Sequence, residues 1–251
     1  MVSSYIRTVS RTVRQFGLAI VLLSGSGAAA LAAPITLPAG LNPGDSYRLA
    51  FVTSIKRGAE ETDINAYNTF VNNLANGVTE LAALSTTWSA IASTSAIDAR
   101  DNTNTNPGAS AGVPIYLTDG ITMIADDNAD LWDGDIDNLF NIDENGNTVG
   151  VDQVWTGSVT NGTGNSGNEL GSNNPIPGAT HFPNAIWITV TAHPNTAQWR
   201  MYAISDTITI PGGEPDPEIA APGQVGLLIL GIAGVAVVRR RKHSRGSHSD
   251  A

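Results

Sequence analysis

Apolar and polar positions first alternate between residues 47 and 54, where the sequence reads YRLAFVTS and is rich in strand-forming side chains. This alternation predicts a first strand. From Asp63, which can cap a helix, apolar residues then recur every three or four positions until Gly77, a residue that commonly ends one. The same spacing predicts a second helix through four further apolar residues, Leu81, Leu84, Trp88 and Ile91.

The second half of the body has short apolar stretches separated by long polar ones. Residues 98–112 are rich in Asn, Gly and Pro and predict a loop, and residues 113–117 before Asp119-Gly120 predict a short strand entering a tight turn. Residues 186–190 and 199–205 are rich in β-branched and aromatic side chains and predict two closing strands. One strand, two helices and then loop-rich antiparallel β structure is an α+β layout.

The N-terminal segment has the three regions of a secretory signal peptide. Arg7, Arg11 and Arg14 give it a positive start, residues 16–23 are apolar, and residues 28–33 supply small side chains. The small-residue pattern at 30–32 fits signal peptidase, so we expect export through the Sec translocon and cleavage between Ala32 and Ala33. Residues 1–32 are therefore excluded from the predicted fold.

The C-terminal segment has an apolar run followed by a basic cluster. Residues 225–238 are apolar, and extending the run back to Ile219 gives twenty residues, just the ~20 that a membrane helix needs. We place this helix at 222–238. Basic residues favour the cytoplasmic side of the inner membrane, so the body is predicted to face the periplasm. The cluster consists of Arg239, Arg240, Arg241 and Lys242.

The tail from about Ile219 to Lys242 resembles the PEP-CTERM sorting signal of Gram-negative bacteria. Pro222, the Leu/Gly-containing apolar helix and the arginine cluster carry the resemblance, while Ala221 stands where the signal usually has Glu. The resemblance implies that an exosortase-like membrane protease-transpeptidase removes the tail. It also implies a cell-surface or extracellular location associated with exopolysaccharide and biofilm. The alternative is a permanent single-span anchor in the inner membrane with the same outward topology.

Composition changes this picture in two respects. The chain has no cysteine, so an exported domain must be stabilised by its packed core rather than by disulfides. The whole-chain net charge of −10 conceals a net charge of −17 for residues 33–218, which hold five basic and twenty-two acidic side chains. Such a surface repels nucleic acid. It suits contact with divalent cations or neutral glycans, and solubility alone would also account for it.

These boundaries predict five segments: a signal peptide (1–32), an extracellular α+β domain (33–211), a linker (212–218), the sorting tail (219–242) and a basic, polar end (243–251). The body, about 47–206, resembles an uncharacterised family of bacterial extracellular domains, distantly like the endostatin and C-type-lectin fold. Six short motifs carry this resemblance: FVTS at 51–54, Trp88 with Ser95, PIYL at 114–117 with Asp119-Gly120, DLWDG at 130–134, VWTG at 154–157 and YAIS at 202–205. The resemblance implies a fold and names no ligand.

The acidic stretch 126–144 is a candidate metal site. Calcium takes about six to eight oxygen ligands, and residues 133–144 place oxygens at positions 1, 3, 5, 9 and 12 of an EF-hand-like loop. The predicted calcium ligands are Asp133, Asp135, Asp137, Asn141 and Glu144. However, Asn138 replaces the usual turn glycine. The competing interpretation is a solvated loop whose apolar side chains, Leu131, Trp132, Leu139 and Ile142, pack inward.

Two other functions compete with a simple surface role. In a calcium-dependent carbohydrate-binding module, a loop-held calcium would take sugar hydroxyls and Trp132, Trp155 or Trp187 would stack on the ring, although tryptophans more often lie in the core. The oxygens for this site would come from Asp126, Asp127, Asn128 and Asp130. For an enzyme, the body offers two histidines, His181 and His193, outside any H-E-x-x-H pattern. We therefore expect a non-enzymatic exported surface or matrix protein.

Overall fold

The computed structural model describes residues 34–212. The predicted cleavage point between Ala32 and Ala33 lies outside the described residues. So does the whole sorting tail, with Ala221, Pro222 and the Arg239–Arg241 cluster. Within 34–212, no helix is both long and apolar enough to cross a membrane.

The described residues form an α+β domain with few helices, which confirms the predicted class. The strands are β1 Ser46–Val52, β2 Trp88–Ala90, β3 Ile115–Leu117, β4 Met123–Ala125, β5 Gln153–Trp155, β6 Pro177–Ala179, β7 Arg200–Ser205 and β8 Ile208–Thr209. The helices are α1 Ile64–Asn76, α2 Thr79–Ala82, α3 Ala99–Asn102 and α4 Asn128–Leu131, with a 3-10 helix at Ala185–Trp187.

The strands form one curled, mixed sheet in the order β4-β3-β1-β7-β5-β6. β7 is its centre: it pairs antiparallel with β1 along Tyr202–Ile204, antiparallel with β2 along 203–205, and parallel with β5 along 200–201. β1 and β3 are also parallel. The predicted antiparallel β structure is therefore wrong for two strand pairs. A parallel pair needs a long crossover, and residues 53–114 provide it between β1 and β3.

The central strands are buried on both faces and separate two hydrophobic cores. Along β1, Leu49 and Phe51 enter a core shared with α1, whereas Ala50 and Val52 enter the opposite core. In β7, Met201 and Ala203 face the α1 side, and Tyr202 and Ile204 face the other. The second core is closed by side chains from α4, from the 3-10 helix and from the irregular segment after α4, which include Leu131, Trp132, Ile136, Phe140 and Trp187.

Helix α1 forms as its apolar spacing and capping residues predict. The Asp63 side chain accepts a hydrogen bond from the Asn65 N–H at 3.0 Å, and the Gly77 N–H donates to the Asn73 carbonyl at 3.0 Å. An N-cap of this kind satisfies a backbone donor that the helix leaves free. Tyr67, Val71 and Ala75 are buried on one face of the helix, and this face packs against the sheet.

The predicted second helix is mostly wrong. Only α2, of four residues, is helical, and Ser85 has φ +51°, a left-handed conformation that ends any continuation. Trp88 instead begins β2. Its backbone N–H donates to the Asn72 side chain at 3.1 Å, and the residue pairs with Ser205 of β7. Pairing with the central strand therefore overrides an apolar spacing that suits a helix.

The predicted strand at 186–190 is also wrong. Asn184 caps the 3-10 helix by accepting a hydrogen bond from the Ile186 N–H at 3.2 Å, and Trp187 enters the core. This helix packs against β6, a strand the sequence pattern does not predict. At Gly178 of β6, an added Cβ would lie 2.8 Å from the Ile188 Cα and closer still to the Trp187 carbonyl.

Candidate functional site

Glu144, at the twelfth position of the predicted calcium loop, already forms hydrogen bonds with Ser54. Its side chain is buried, and its two carboxylate oxygens accept hydrogen bonds from the Ser54 N–H, at 2.8 Å, and from the Ser54 hydroxyl. Val52, at the end of β1, forms a bridge with Asp143. Glu144 therefore joins the end of β1 to the 143–148 turn.

Of the other four predicted calcium ligands, the three aspartates are exposed and Asn141 is partly buried. Asp133 and Asp137 are exposed, and Asp133 accepts a hydrogen bond from the Asp135 N–H at 3.1 Å. Partial burial raises the pKa of Asp137, and the negative charges of Asp130, Asp126 and Asp133 raise it further. Within residues 34–212, no group of three or more Asp, Glu or His side chains could hold a metal ion. The calcium site stays a prediction, and Glu144, at its twelfth position, is already bonded to Ser54.

The competing inward-packed loop fits better. Leu131, Trp132 and Ile142 are buried, and Leu139 is exposed. Asp127 caps α4, and its Oδ1 accepts from the Ala129 N–H at 2.7 Å and the Asp130 N–H at 2.9 Å. These residues shape the loop with local hydrogen bonds.

The three tryptophans predicted to stack on a sugar are buried, so a sugar in solution cannot contact their rings. Trp155 and Trp187 have no exposed surface, and Trp132 is 5 % exposed. Trp132 and Trp187 have ring centroids 5.9 Å apart in the core, and the Trp132 Nε1–H donates to the Thr105 hydroxyl at 2.9 Å. These three rings are therefore not placed to stack on a sugar.

An open cleft of about 450 Å³ lies beside β5 and β6. Its apolar lining comes from Val151, Ala179, Phe182, Ile186 and Val190. Its remaining lining comes from Asp152, Gln153, His181 and Trp199. A concave, mostly apolar cleft with a few polar groups is typical of a small-molecule site.

Trp199 gives the cleft a rigid aromatic wall. Its backbone exchanges two hydrogen bonds with Arg57, at 2.8 and 3.0 Å, so the residue is fixed immediately before β7. Its ring packs on Trp155, with centroids 4.2 Å apart, and His193 contacts it edge-on at 4.8 Å. Trp155 is itself fixed, because its Nε1–H donates to the Arg57 and Ala197 carbonyls. Unlike the other four tryptophans, which are buried, Trp199 is only partly buried.

Asp152 is the acid of the cleft, and its charge is balanced. Its Oδ2 lies 2.9 Å from the Lys56 Nζ and 2.8 Å from the Arg200 Nε. Burial alone would raise the pKa of Asp152. Hydrogen bonds from Lys56, Arg200 and the Gln153 N–H outweigh burial and hold the pKa below its ordinary value. Arg200 also donates to the Thr53 and Ser54 carbonyls at 2.6 and 2.8 Å, which fixes the group in place.

Two polar atoms of the cleft residues are buried without a hydrogen-bond partner in the described structure. They are Oε1 of Gln153 and Nδ1 of His181. The His181 ring contacts Phe182 with centroids 4.1 Å apart. Both atoms have almost no accessible surface, and seven other buried side-chain atoms of the described residues are also unpaired, so these two do not by themselves mark the cleft as a ligand site.

A second, polar depression of about 280 Å³ is lined in part by Asp98, Asp101 and Glu169. All three carboxylates already accept hydrogen bonds: Asp98 from the Gly164 N–H, Asp101 from the Asn106 side chain and Glu169 from the Gly167 N–H. These acids hold loops together, and we assign them no ligand.

The cleft cannot be predicted from the sequence, because its walls come from separate segments at 151–153, 179–190 and 199. The one local signal is Trp199, which follows the polar Gln198 and stands at the start of a buried strand. A scan against protein-family models finds no match to the chain, and a search of curated proteins finds no significant relative.

Proposed function

We propose that this chain is an exported, non-enzymatic cell-surface or extracellular-matrix protein of a Gram-negative bacterium. The observation that carries the proposal is the pairing of a signal peptide at 1–32 with a Pro-apolar-Arg tail at 219–242 around an acidic, cysteine-free domain. In this proposal, the Sec translocon and signal peptidase export the chain. An exosortase-like enzyme then releases it from the inner membrane to an exopolysaccharide-rich surface.

We also propose that the domain has the C-type-lectin or endostatin type of fold. Three features support it: the first and last long strands pair at the centre of the sheet, the longest helix follows β1, and long irregular segments close the second core. The calcium-dependent lectin function has no comparable support, because Glu144 is bound to Ser54 and the tryptophans proposed for stacking are buried.

The location is tested by fractionation and intact mass of the protein produced in its host. A processed protein would lack residues 1–32 and the tail and would be found at the surface or in the medium. A mature chain that ends at Ala251 in the inner membrane would instead establish the permanent anchor.

A matched pair of variants separates sorting from general expression. Replacing Arg239, Arg240 and Arg241 with Ala should prevent correct tail processing, because the basic cluster fixes the membrane orientation. Replacing Lys242 alone with Ala leaves three arginines and should be processed as the wild type. Identical mature masses for both variants and the wild type would contradict the sorting role.

A further inference from the structure

We propose that folding of the domain closes the predicted signal-peptidase site, so that cleavage between Ala32 and Ala33 has to come before folding. The controlling element is the strap, which we define as residues 34–39, the first described residues of the chain. Only Ala33 separates the strap from the predicted cleavage point. The inference rests on the proposed function for the signal peptide at 1–32, and the closure itself follows from the contacts of the strap.

Backbone hydrogen bonds hold the strap against the turn that follows β3. The Ile35 N–H donates to the Thr118 carbonyl at 2.7 Å, and the Ala39 N–H donates to the Gly120 carbonyl at 3.0 Å. These bonds lie near the two ends of the strap and fix its course along the turn. Proteases favour exposed segments whose backbone is free, and the backbone of the strap is already bonded.

A side chain of β1 adds a further contact to the strap. The Tyr47 hydroxyl donates to the Thr36 carbonyl at 2.6 Å, and Tyr47 is itself buried in the core shared with α1. Pro34 is buried, and Ile35 packs over Gly120, where an added Cβ would lie 2.7 Å from the Ile35 Cβ. The strap is therefore part of the folded domain.

The contacts of the strap affect cleavage because so little chain lies between them and the cleavage point. Cleavage adds water across the Ala32–Ala33 peptide bond and leaves a carboxyl group on Ala32 and an amino group on Ala33. Pro34 and Ile35 are the second and third residues after this bond. A protease that binds the chain on both sides of the bond must pull them out of the domain, so it cleaves only the fraction of folded molecules whose strap has opened.

The surface that receives the strap depends on the complete sheet. The strap contacts β1 and the turn after β3, and β1 pairs with β7 along 202–204, near the end of the domain. This surface is complete only when the sheet has formed. The cleavage site is therefore open in the exported chain before folding and closed afterwards.

The test uses the purified full-length precursor, folded in detergent, and purified signal peptidase. One variant carries an eight-residue spacer, Pro followed by Gly and Ser residues, between Ala33 and Pro34. The two residues after the cleavage point thus remain Ala and Pro, while the strap is moved up to roughly 26 Å away along the chain. We expect this variant to be cleaved after Ala32 at least about tenfold faster than the wild type, the factor that ~1.4 kcal/mol of opening free energy represents.

The matched control carries the same spacer between Gly212 and Gly213, in the predicted linker. It has the same added length but leaves the strap next to the cleavage point, so it should be cleaved as slowly as the wild type. Equal cleavage rates for the wild type and the two spacer variants overturn the proposal.

A second variant tests the contact with β1. Tyr47→Phe removes the hydroxyl bonded to the Thr36 carbonyl and should speed cleavage of the folded precursor about two- to tenfold, the effect of a typical hydrogen bond. Tyr202→Phe is the control, because the Tyr202 hydroxyl lies in the other core and has no hydrogen-bond partner among residues 34–212. Equal rates for these two variants count against the proposal.

Failure of this inference is distinguishable from failure of the proposed function. A protein that begins at Ala33 in its host establishes the signal peptide, and equal cleavage of the wild type and the Ala33–Pro34 spacer variant then contradicts the closure alone. An exported protein that keeps residues 1–32, together with no cleavage of the spacer variant, contradicts the signal peptide and the inference with it.

Discussion

At the residue scale, Arg48 is a buried positive charge that is held by carbonyl groups. Its Nη1 donates to the Thr103 and Ser205 carbonyls at 2.8 and 2.9 Å, and Nη2 donates to the Asn104 carbonyl at 3.2 Å. Burial lowers the pKa of Arg48, and the charge of Asp206 partly opposes this effect. The guanidinium thus ties β1 to β7 and to the loop after α3.

Replacing Arg48 with Met should lower the free energy of unfolding by roughly 2–3 kcal/mol, the range for losing charge-assisted hydrogen bonds and leaving buried carbonyls unpaired. Arg48→Lys should recover only part of this loss, because an ammonium cannot reproduce the planar fork. Urea unfolding of both variants measures the difference. A stability equal to wild type for Arg48→Met would show that these three bonds add nothing net.

Glu144 and Asp133 belong to the same predicted calcium loop but have different roles in the structure. Glu144→Ala should destabilise the protein by about 1–3 kcal/mol, since it removes a buried carboxylate and leaves the partly buried Ser54 donors without their partner. Asp133→Ala, at an exposed position, should change stability by no more than about 0.5 kcal/mol.

Thermal unfolding with and without millimolar calcium decides between the two roles of this loop. We expect the two variants to differ from each other in both conditions, and calcium to change neither melting temperature. A calcium-induced rise in the melting temperature of the wild type that both variants lose would restore the metal site.

At the element scale, the close contact between β6 and the 3-10 helix depends on one glycine. Gly178→Ala would drive its Cβ into the backbone of Trp187 and Ile188, which lie in the core and cannot yield as a flexible side chain would. We expect a loss of about 3 kcal/mol or more, or failure to fold, as for other overpacked sites.

Gly150→Ala is the matched control for this substitution. Nothing lies within 4 Å of an added Cβ at Gly150, and its φ is not in the left-handed region, so the variant should be as stable as the wild type. Chemical denaturation of the two variants side by side tests the contact. Equal stability would mean that β6 can move away from the 3-10 helix at little cost.

Elements could be predicted where local signals and tertiary contacts agree. The Asp63 cap, the apolar spacing of α1 and the Gly77 stop all describe the helix that forms, and β1 and β7 form where strand-forming side chains predict them. The spacing of Trp88 from its apolar neighbours predicts a helix, but pairing with β7 places it in a strand. The cleft was unpredictable for a related reason: only the fold brings Gln153, His181 and Trp199 together.

At the scale of the whole molecule, Asp152 links stability to pH through the contacts between 53–56, β5 and β7. Its pKa is lower in the folded protein than its ordinary value of 3.8. The stabilisation is therefore complete above about pH 3.8 and is lost as the pH falls through the lower folded pKa. Acid relieves the repulsion among the other carboxylates, which favours the folded state. Protonation of Asp152 should make the protein less stable in acid than this relief alone would make it.

Asp152→Asn should be about 1–3 kcal/mol less stable than wild type at pH 7, and the two should converge as the pH falls well below 3.8. Asp135→Asn, at an exposed carboxylate, serves as the control and should be as stable as the wild type at pH 7. Equilibrium unfolding between pH 2 and pH 7 provides the comparison. A constant difference between Asp152→Asn and wild type across this range would contradict the linkage.

The central position of β7 governs when the domain can fold. β7 pairs with β1, β2 and β5, yet it comes near the end of the domain, and β8, which closes against β1, comes later still. No partial chain that stops before residue 200 can close this sheet. Folding is therefore a late event dominated by sequence-distant pairings, a topology associated with slow folding. Until β7 is present, β1, β2 and β5 lack their common partner, and the backbone groups that pair with β7 stay open to water.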